Sequence, residues 1–187
     1  MKIFMVILGL LWMQSSFATE GTSKDSIYLL KGVWKNQDNQ RKVLKDFSGA
    51  PTIVAIVYTG CAYVCPMTIT KLQELESKIK GKGGRKYRVV LASFDTIKDR
   101  PERLNQYMKK RELDRAVWTM ITADQDSVVR ELAIVLGVNY QRLENGDFAH
   151  SNIITLLDEN GVIIDHMETL NSDSTSLISK VVQFSSK

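Results

Sequence analysis

The alternation of apolar and polar positions along the chain predicts strands and helices in turn. Ile53 to Tyr58 is a continuous apolar run, mostly β-branched, and reads as a strand buried on both faces. Leu72, Leu75 and Ile79 then recur at helical spacing behind Pro66. Pro66 disfavours helical geometry at the residue before it, so the helix proper is expected to start after Cys65, with Cys61 in a loop. Gly81 to Gly84 breaks this helix, and Tyr87 to Phe94 predicts a second core strand. Asp99 with Glu102 three residues on, and Pro101 between them, reads as a capping-box start for a helix reaching about Lys110. Val117 to Ile121 predicts a third strand. Asp126 is expected to cap a helix carrying Val128, Val129, Leu132, Ala133 and Leu136 on one face, stopped at Gly137.

The remaining pattern is strand-rich. Tyr140 to Leu143 predicts an edge strand before the turn from Glu144 to Asp147. Ile153 to Leu157 and Val162 to Asp165 predict a hairpin joined at Asn160-Gly161, and Leu177, Ile178, Val181 and Val182 mark a last helix. Ahead of all this, Trp34 and Lys42 to Leu44 flank a polar turn at Asp38-Asn39, an N-terminal β hairpin. Strands alternating with helices argue for an α/β fold. The expected architecture is thioredoxin-like: a central mixed, mostly parallel sheet flanked by helices, with the N-terminal hairpin added.

Composition bounds function. A chain of 187 residues with 44% hydrophobic and 25% charged residues is enough for one domain with a proper core. Its net charge of +4 is mild, and no dense Lys/Arg run with interleaved aromatics occurs, which argues against nucleic-acid binding. The most basic stretch, Gly81 to Lys86, reads as a solvated loop. The start is different in kind. Lys2, the apolar stretch Ile3 to Met13 and the small-x-small triplet Ser16-Phe17-Ala18 form an export signal over 1–18. Cleavage is expected before Thr19, with an uncleaved anchor as the alternative; no cysteine follows to carry a lipid. Residues 19–28 read as a flexible lead-in and 29–187 as a single domain. Export places the chain in the periplasm or facing it at the inner membrane, an oxidising compartment. Membrane association is expected only if the N-terminal segment stays attached.

The candidate chemistry sits in one turn. Cys61 and Cys65 are the only cysteines, and both fall between the first core strand and its helix, where open α/β sheets present ligands. A helix N-terminus stabilises thiolates. Helical residues four apart have Cβ atoms roughly 5–6 Å apart, against about 3.5–4.5 Å for a disulfide. The spacing therefore permits two sulfurs on one metal ion, while a loop still lets the pair oxidise. A structural disulfide or two inert thiols are the plainer readings. Of the two histidines, His150 precedes the strand from Ile153, which a thioredoxin-like layout places near the cysteine turn; His166 lies at the far end of the hairpin and reads as a surface residue.

Three blocks carry a resemblance: Tyr58 to Pro66 with its Cys61-x-x-x-Cys65-Pro66 spacing, Ser93-Phe94-Asp95 followed by Asp99-Arg100-Pro101, and His150-Ser151 leading into Ile154 to Gly161. Together they resemble the Sco/SenC family of thioredoxin-fold copper proteins over roughly 30 to 184. The resemblance implies that Cys61, Cys65 and His150 bind one copper, with Asp95 near the site as a supporting residue or partner contact. Thiolates suit Cu(I), and an imidazole makes Cu(II) tolerable. Oxidation to a Cys61–Cys65 disulfide would switch binding off. The implied function is delivery of copper to an extracytoplasmic copper site, the CuA centre of cytochrome c oxidase or another cuproprotein, with a copper donor upstream. The alternative is a thiol–disulfide reductase in which Cys61 attacks and Cys65 resolves, keeping the cysteines of an acceptor protein reduced. One departure stands out: many relatives carry proline directly after the first cysteine, where this chain has Ala62.

Overall fold

The structure is a computed structural model that describes residues 23–185 except Asn145. The export signal expected over 1–18 lies outside the described residues. The elements run β1 (Trp34–Asn36), β2 (Arg41–Lys42), β3 (Thr52–Val57), α1 (Val64–Gly81), β4 (Arg88–Ser93), α2 (Pro101–Lys110), β5 (Trp118–Thr122), α3 (Asp126–Val135), β6 (Tyr140–Arg142), β7 (Phe148–His150), β8 (Ile154–Leu157), β9 (Ile163–Met167) and α4 (Thr175–Ser185).

Seven strands form one sheet in the order β2-β1-β5-β4-β3-β8-β9. The apolar run at Ile53 forms β3, near the middle of this sheet, with every residue buried. It runs parallel to β4, and β4 parallel to β5; the other pairings are antiparallel. Register decides where the site can be. Val57, the last residue of β3, lies opposite Ser93, the last of β4, so the loops that follow leave side by side. Strand β8 runs the other way and starts beside Ala55, so the chain just before Ile154 enters at that same end. Three separate segments thus converge on one rim of the sheet.

α1 buries Cys65, Ile69, Leu72, Leu75 and Ile79 along one stripe, as the periodicity predicts. Glu76 is buried on the same stripe because its carboxylate accepts from the Trp118 indole N–H at 2.7 Å and pairs with Lys80 at 2.6 Å. The turn between β8 and β9 needs Gly161: its φ is +83°, and a Cβ there would stand 2.5 Å from the Tyr28 ring.

Four local expectations are corrected. α1 starts at Val64, so Cys65 is inside its first turn. The amides of a first turn have no intrahelical acceptor, so Pro66 forfeits no bond there. Asp99 does not cap α2; the N-cap residue is Arg100, without a side-chain cap bond. Tyr140 to Arg142 is not an edge strand of the main sheet but pairs with Phe148–His150 in a separate two-stranded sheet. Finally, the end of the expected flexible lead-in is packed: Ser26, Ile27 and Tyr28 are buried, the Ser26 hydroxyl donates to the Asn160 carbonyl at 2.5 Å, and the Ile27 N–H donates to Gly161. Two large apolar side chains in succession give this segment something to bury.

Candidate metal centre

Cys61 leaves β3 in the loop and is half-buried; Cys65 is fully buried in α1. The two thiols form no disulfide. The Cys65 N–H points back and donates to Cys61 Sγ at 3.3 Å. Their environments separate them. Burial pushes the Cys61 thiol up, but the N–H groups of Cys65, Tyr63 and Val64 and the Cys65 side chain outweigh it and hold Cys61 below the ordinary thiol value. This is the helix N-terminus acting on a thiolate. Burial pushes Cys65 far up, opposed by a bond from the Tyr58 backbone and reinforced by Cys61 and Asp99. The half-buried sulfur thus loses its proton more readily than the buried one.

His150 closes β7 and is half-buried. Its Nδ1 lies 3.1 Å from the Ser151 carbonyl oxygen. A carbonyl only accepts, so Nδ1 is the donor here and Nε2 is the ring nitrogen turned towards the thiols. That Nε2 lies 3.8 Å from Cys65 Sγ. The ring sits against Phe94 at 5.2 Å between centroids and edge-on to Tyr58 at 6.2 Å. Burial, with Cys61 and Asp147 nearby, holds the Tyr58 phenol well above its usual value, so it stays neutral and reaches Asp147 at 3.4 Å as a donor.

The Sγ atoms of Cys61 and Cys65 and a ring nitrogen of His150 all lie within 4.8 Å of one another. Donors sharing one ion through bonds of about 2.0–2.3 Å stand roughly 4 Å apart. Small side-chain movements therefore close the three around a metal ion. Two sulfurs and one imidazole nitrogen are a soft donor set.

Asp95 is not among these atoms. Its side chain is 2% exposed and pairs with Arg142 at 3.3 Å. His166 is on the edge strand β9, opposite Thr155, and is not among these atoms; its Nε2 lies 3.7 Å from Glu168. Sequence reasoning missed Arg142 and Arg103 altogether, because each matters through a partner distant in the chain, the Asp95 carboxylate for Arg142 and the Thr59 hydroxyl for Arg103.

The family model of SCO1/SenC matches residues 33–185. The chain belongs to the SCO1/SenC family. No curated protein matches it by sequence. Solved structures share its fold. Arabidopsis thaliana ScoI with copper bound is 24% identical, covering 81% of this chain and 94% of that one, with a TM-score of 0.71. A SCO1/SenC family lipoprotein from Bacillus anthracis is 22% identical over 81% of this chain and 91% of its own, with a TM-score of 0.74. Yeast Sco1 with copper bound is 18% identical over 81% and 84%, with a TM-score of 0.67. The expected thioredoxin-like α/β fold is thus the observed one, with its parallel pairs confined to β3, β4 and β5.

Proposed function

We propose that this SCO1/SenC chain binds one copper ion through Cys61, Cys65 and His150 and passes it to an extracytoplasmic copper site, the CuA centre of cytochrome c oxidase or another cuproprotein. The observation that carries the reading is the convergence of two sulfurs and an imidazole nitrogen within 4.8 Å. Copper-bound structures of the Arabidopsis and yeast relatives support the choice of metal. Copper enters as cargo. Both thiols give up their protons to bind the ion, Cys61 more readily than Cys65, and His150 supplies a ring nitrogen. Three protein ligands leave one side for a donor or recipient protein to offer its own. The N-terminal segment 1–18 directs export, placing the domain over 29–187 in the periplasm or facing it at the inner membrane. Among the described residues no helix is long and apolar enough to cross a membrane.

The asymmetry of the two thiols favours a second reading, a thiol–disulfide reductase. Cys61 thiolate attacks an acceptor disulfide and expels one acceptor thiolate. Cys65 loses its proton, attacks Cys61 Sγ and expels the mixed-disulfide sulfur. The acceptor gains two electrons and two thiols, this chain is left as the Cys61–Cys65 disulfide, and an external dithiol must reset it.

One experiment separates the two. The pre-reduced chain is titrated with copper, with metal content and visible absorption recorded for wild type, Cys61→Ser, Cys65→Ser and His150→Ala. One tightly held copper per chain, with sulfur-to-copper charge-transfer bands and loss in all three variants, is the expected result. Retention of copper by His150→Ala at wild-type affinity overturns the ligand assignment. No retained copper beside an intact redox pair leaves the reductase.

A further inference from the structure

Ser93, at the end of β4, sits between two buried carboxylates. Its hydroxyl donates to Asp99 Oδ2 at 2.6 Å, and its oxygen accepts the Asp95 N–H at 3.1 Å. Asp95 and Asp99 are 1% and 0% exposed. Neither caps the helix beside it with a side-chain bond. Each instead reaches one arm of the metal centre.

Asp99 holds the cysteine arm. It accepts the Thr59 N–H at 2.8 Å and the Thr59 hydroxyl at 2.5 Å. Arg103 closes this cluster: its Nε donates to Thr59 Oγ1 at 2.6 Å and stands 3.6 Å from the Asp99 carboxylate. Thr59 is two residues before Cys61, so the loop is tied down just before the first sulfur.

Asp95 holds the histidine arm. It accepts the Lys98 N–H at 3.1 Å and pairs with Arg142 at 3.3 Å. The Arg142 guanidinium also lies over the Phe148 ring, 4.6 Å from its centroid, and the two residues face each other across the β6–β7 ladder. Two residues along the same ladder Tyr140 faces His150. Alternate residues of a strand share a face, so fixing Phe148 fixes where His150 points.

Two buried carboxylates at one strand end are expensive unless they are paired and hydrogen-bonded. Here they are used to join segments that the chain keeps far apart. We propose that Asp99 with Arg103, and Asp95 with Arg142, are positioning residues that hold the cysteine arm and the histidine arm separately, hinged on Ser93. The inference rests on the copper-site reading for its purpose, but its geometry is testable without copper.

The test uses the full chain with Arg142→Gln and Thr59→Val, and Thr59→Ser as the conservative rescue. Amide hydrogen exchange is read on the metal-free protein. Arg142→Gln is expected to speed exchange across Tyr140–His150 and leave Thr59 to Cys61 as in wild type; Thr59→Val does the reverse, and Thr59→Ser returns to wild type. With copper, Arg142→Gln is expected to weaken Cu(II) binding roughly 10–100-fold, the usual range for residues that orient a ligand, and to alter the nitrogen hyperfine pattern of the Cu(II) electron paramagnetic resonance spectrum. In the absence of copper it leaves the Cys61–Cys65 thiol–disulfide equilibrium unchanged. If both variants loosen both arms alike, or if melting temperature falls while both exchange patterns stay as in wild type, the proposal is wrong. A wild type that holds no copper overturns the copper reading and leaves the exchange result to decide this one.

Discussion

The cysteine arm and the histidine arm reach one point by different means. The cysteine arm grows out of β3, which is hydrogen-bonded on both sides, and continues into α1, whose apolar stripe is in the core. The four-residue spacing of its sulfurs is fixed by backbone. The histidine arm is a two-stranded sheet of three residues a side, with only Phe148 buried on β7. A two-stranded ribbon is marginal by itself. It is held through side chains: Phe94 stacks on Tyr140 at 5.1 Å and 15° and meets Phe148 at 4.7 Å, and Arg142 reaches Asp95. The cysteine pair is therefore part of the fold, while His150 is attached to it. An arm attached this way can open locally at little expense to the whole.

Truncation to alanine should affect the two arms in different ways. Leu72 is 0% exposed on α1, and Leu72→Ala is expected to lose about 2–5 kcal/mol of stability. For a chain of this length that is a fall in Tm of roughly 5–20 °C. Phe148→Ala removes more atoms but is expected to lower Tm less, because the hairpin can detach before the main sheet yields. Its signature is instead faster proteolysis in the 143–147 turn and loss of the His150 contribution to Cu(II) binding. Thermal unfolding and limited proteolysis on the same two variants check this. A Tm loss for Phe148→Ala equal to that for Leu72→Ala would mean that the histidine arm is core after all.

A smaller effect sharpens the stronger arm. Cys61 is held below the ordinary thiol value and Cys65 well above it. A thiol with a lowered value is already thiolate at a pH where a free cysteine, titrating near 8.5, is still mostly protonated. Iodoacetamide should therefore modify Cys61 first, with a rate that rises and levels off at a lower pH than for free cysteine. Cys65 should stay unmodified across that range, in Cys61→Ser as well. Peptide mapping by mass spectrometry reads both sites, and equal labelling at neutral pH would show that the helix start does not discriminate between them.

Much of this was legible in the sequence for physical reasons. Apolar period and turn residues are local, so β3, the β8–β9 hairpin at Asn160-Gly161 and the stripe on α1 could be read directly. The cysteine pair was legible because its spacing is short, and His150 because its block precedes a strand that must return beside β3. What escaped depends on tertiary pairing. Asp99 followed by Glu102 has the form of a capping box, yet a buried carboxylate takes the donors nearest in space, and these are on Thr59 and Ser93. The partner of β6 was invisible because three-residue strands with mixed polarity leave no period to read.

The smallest expected change lies at the one departure from the resemblance. Ala62 is exposed between the two cysteines, and it is not among the residues whose N–H groups support Cys61, which are Cys65, Tyr63 and Val64. Ala62→Pro therefore removes none of those bonds. A proline in a compatible conformation stabilises by about 0.4–1 kcal/mol, because the unfolded chain has fewer states to lose. At this chain length that is a rise in Tm of roughly 1–4 °C. The histidine arm should not respond, so Cu(II) affinity is expected to stay as in wild type. Proline also pushes the residue before it towards extended geometry. A fall in Tm, with slower closure of the Cys61–Cys65 disulfide, would show that Cys61 needs the freedom that alanine leaves it, and that this turn is built differently from those of relatives with proline there.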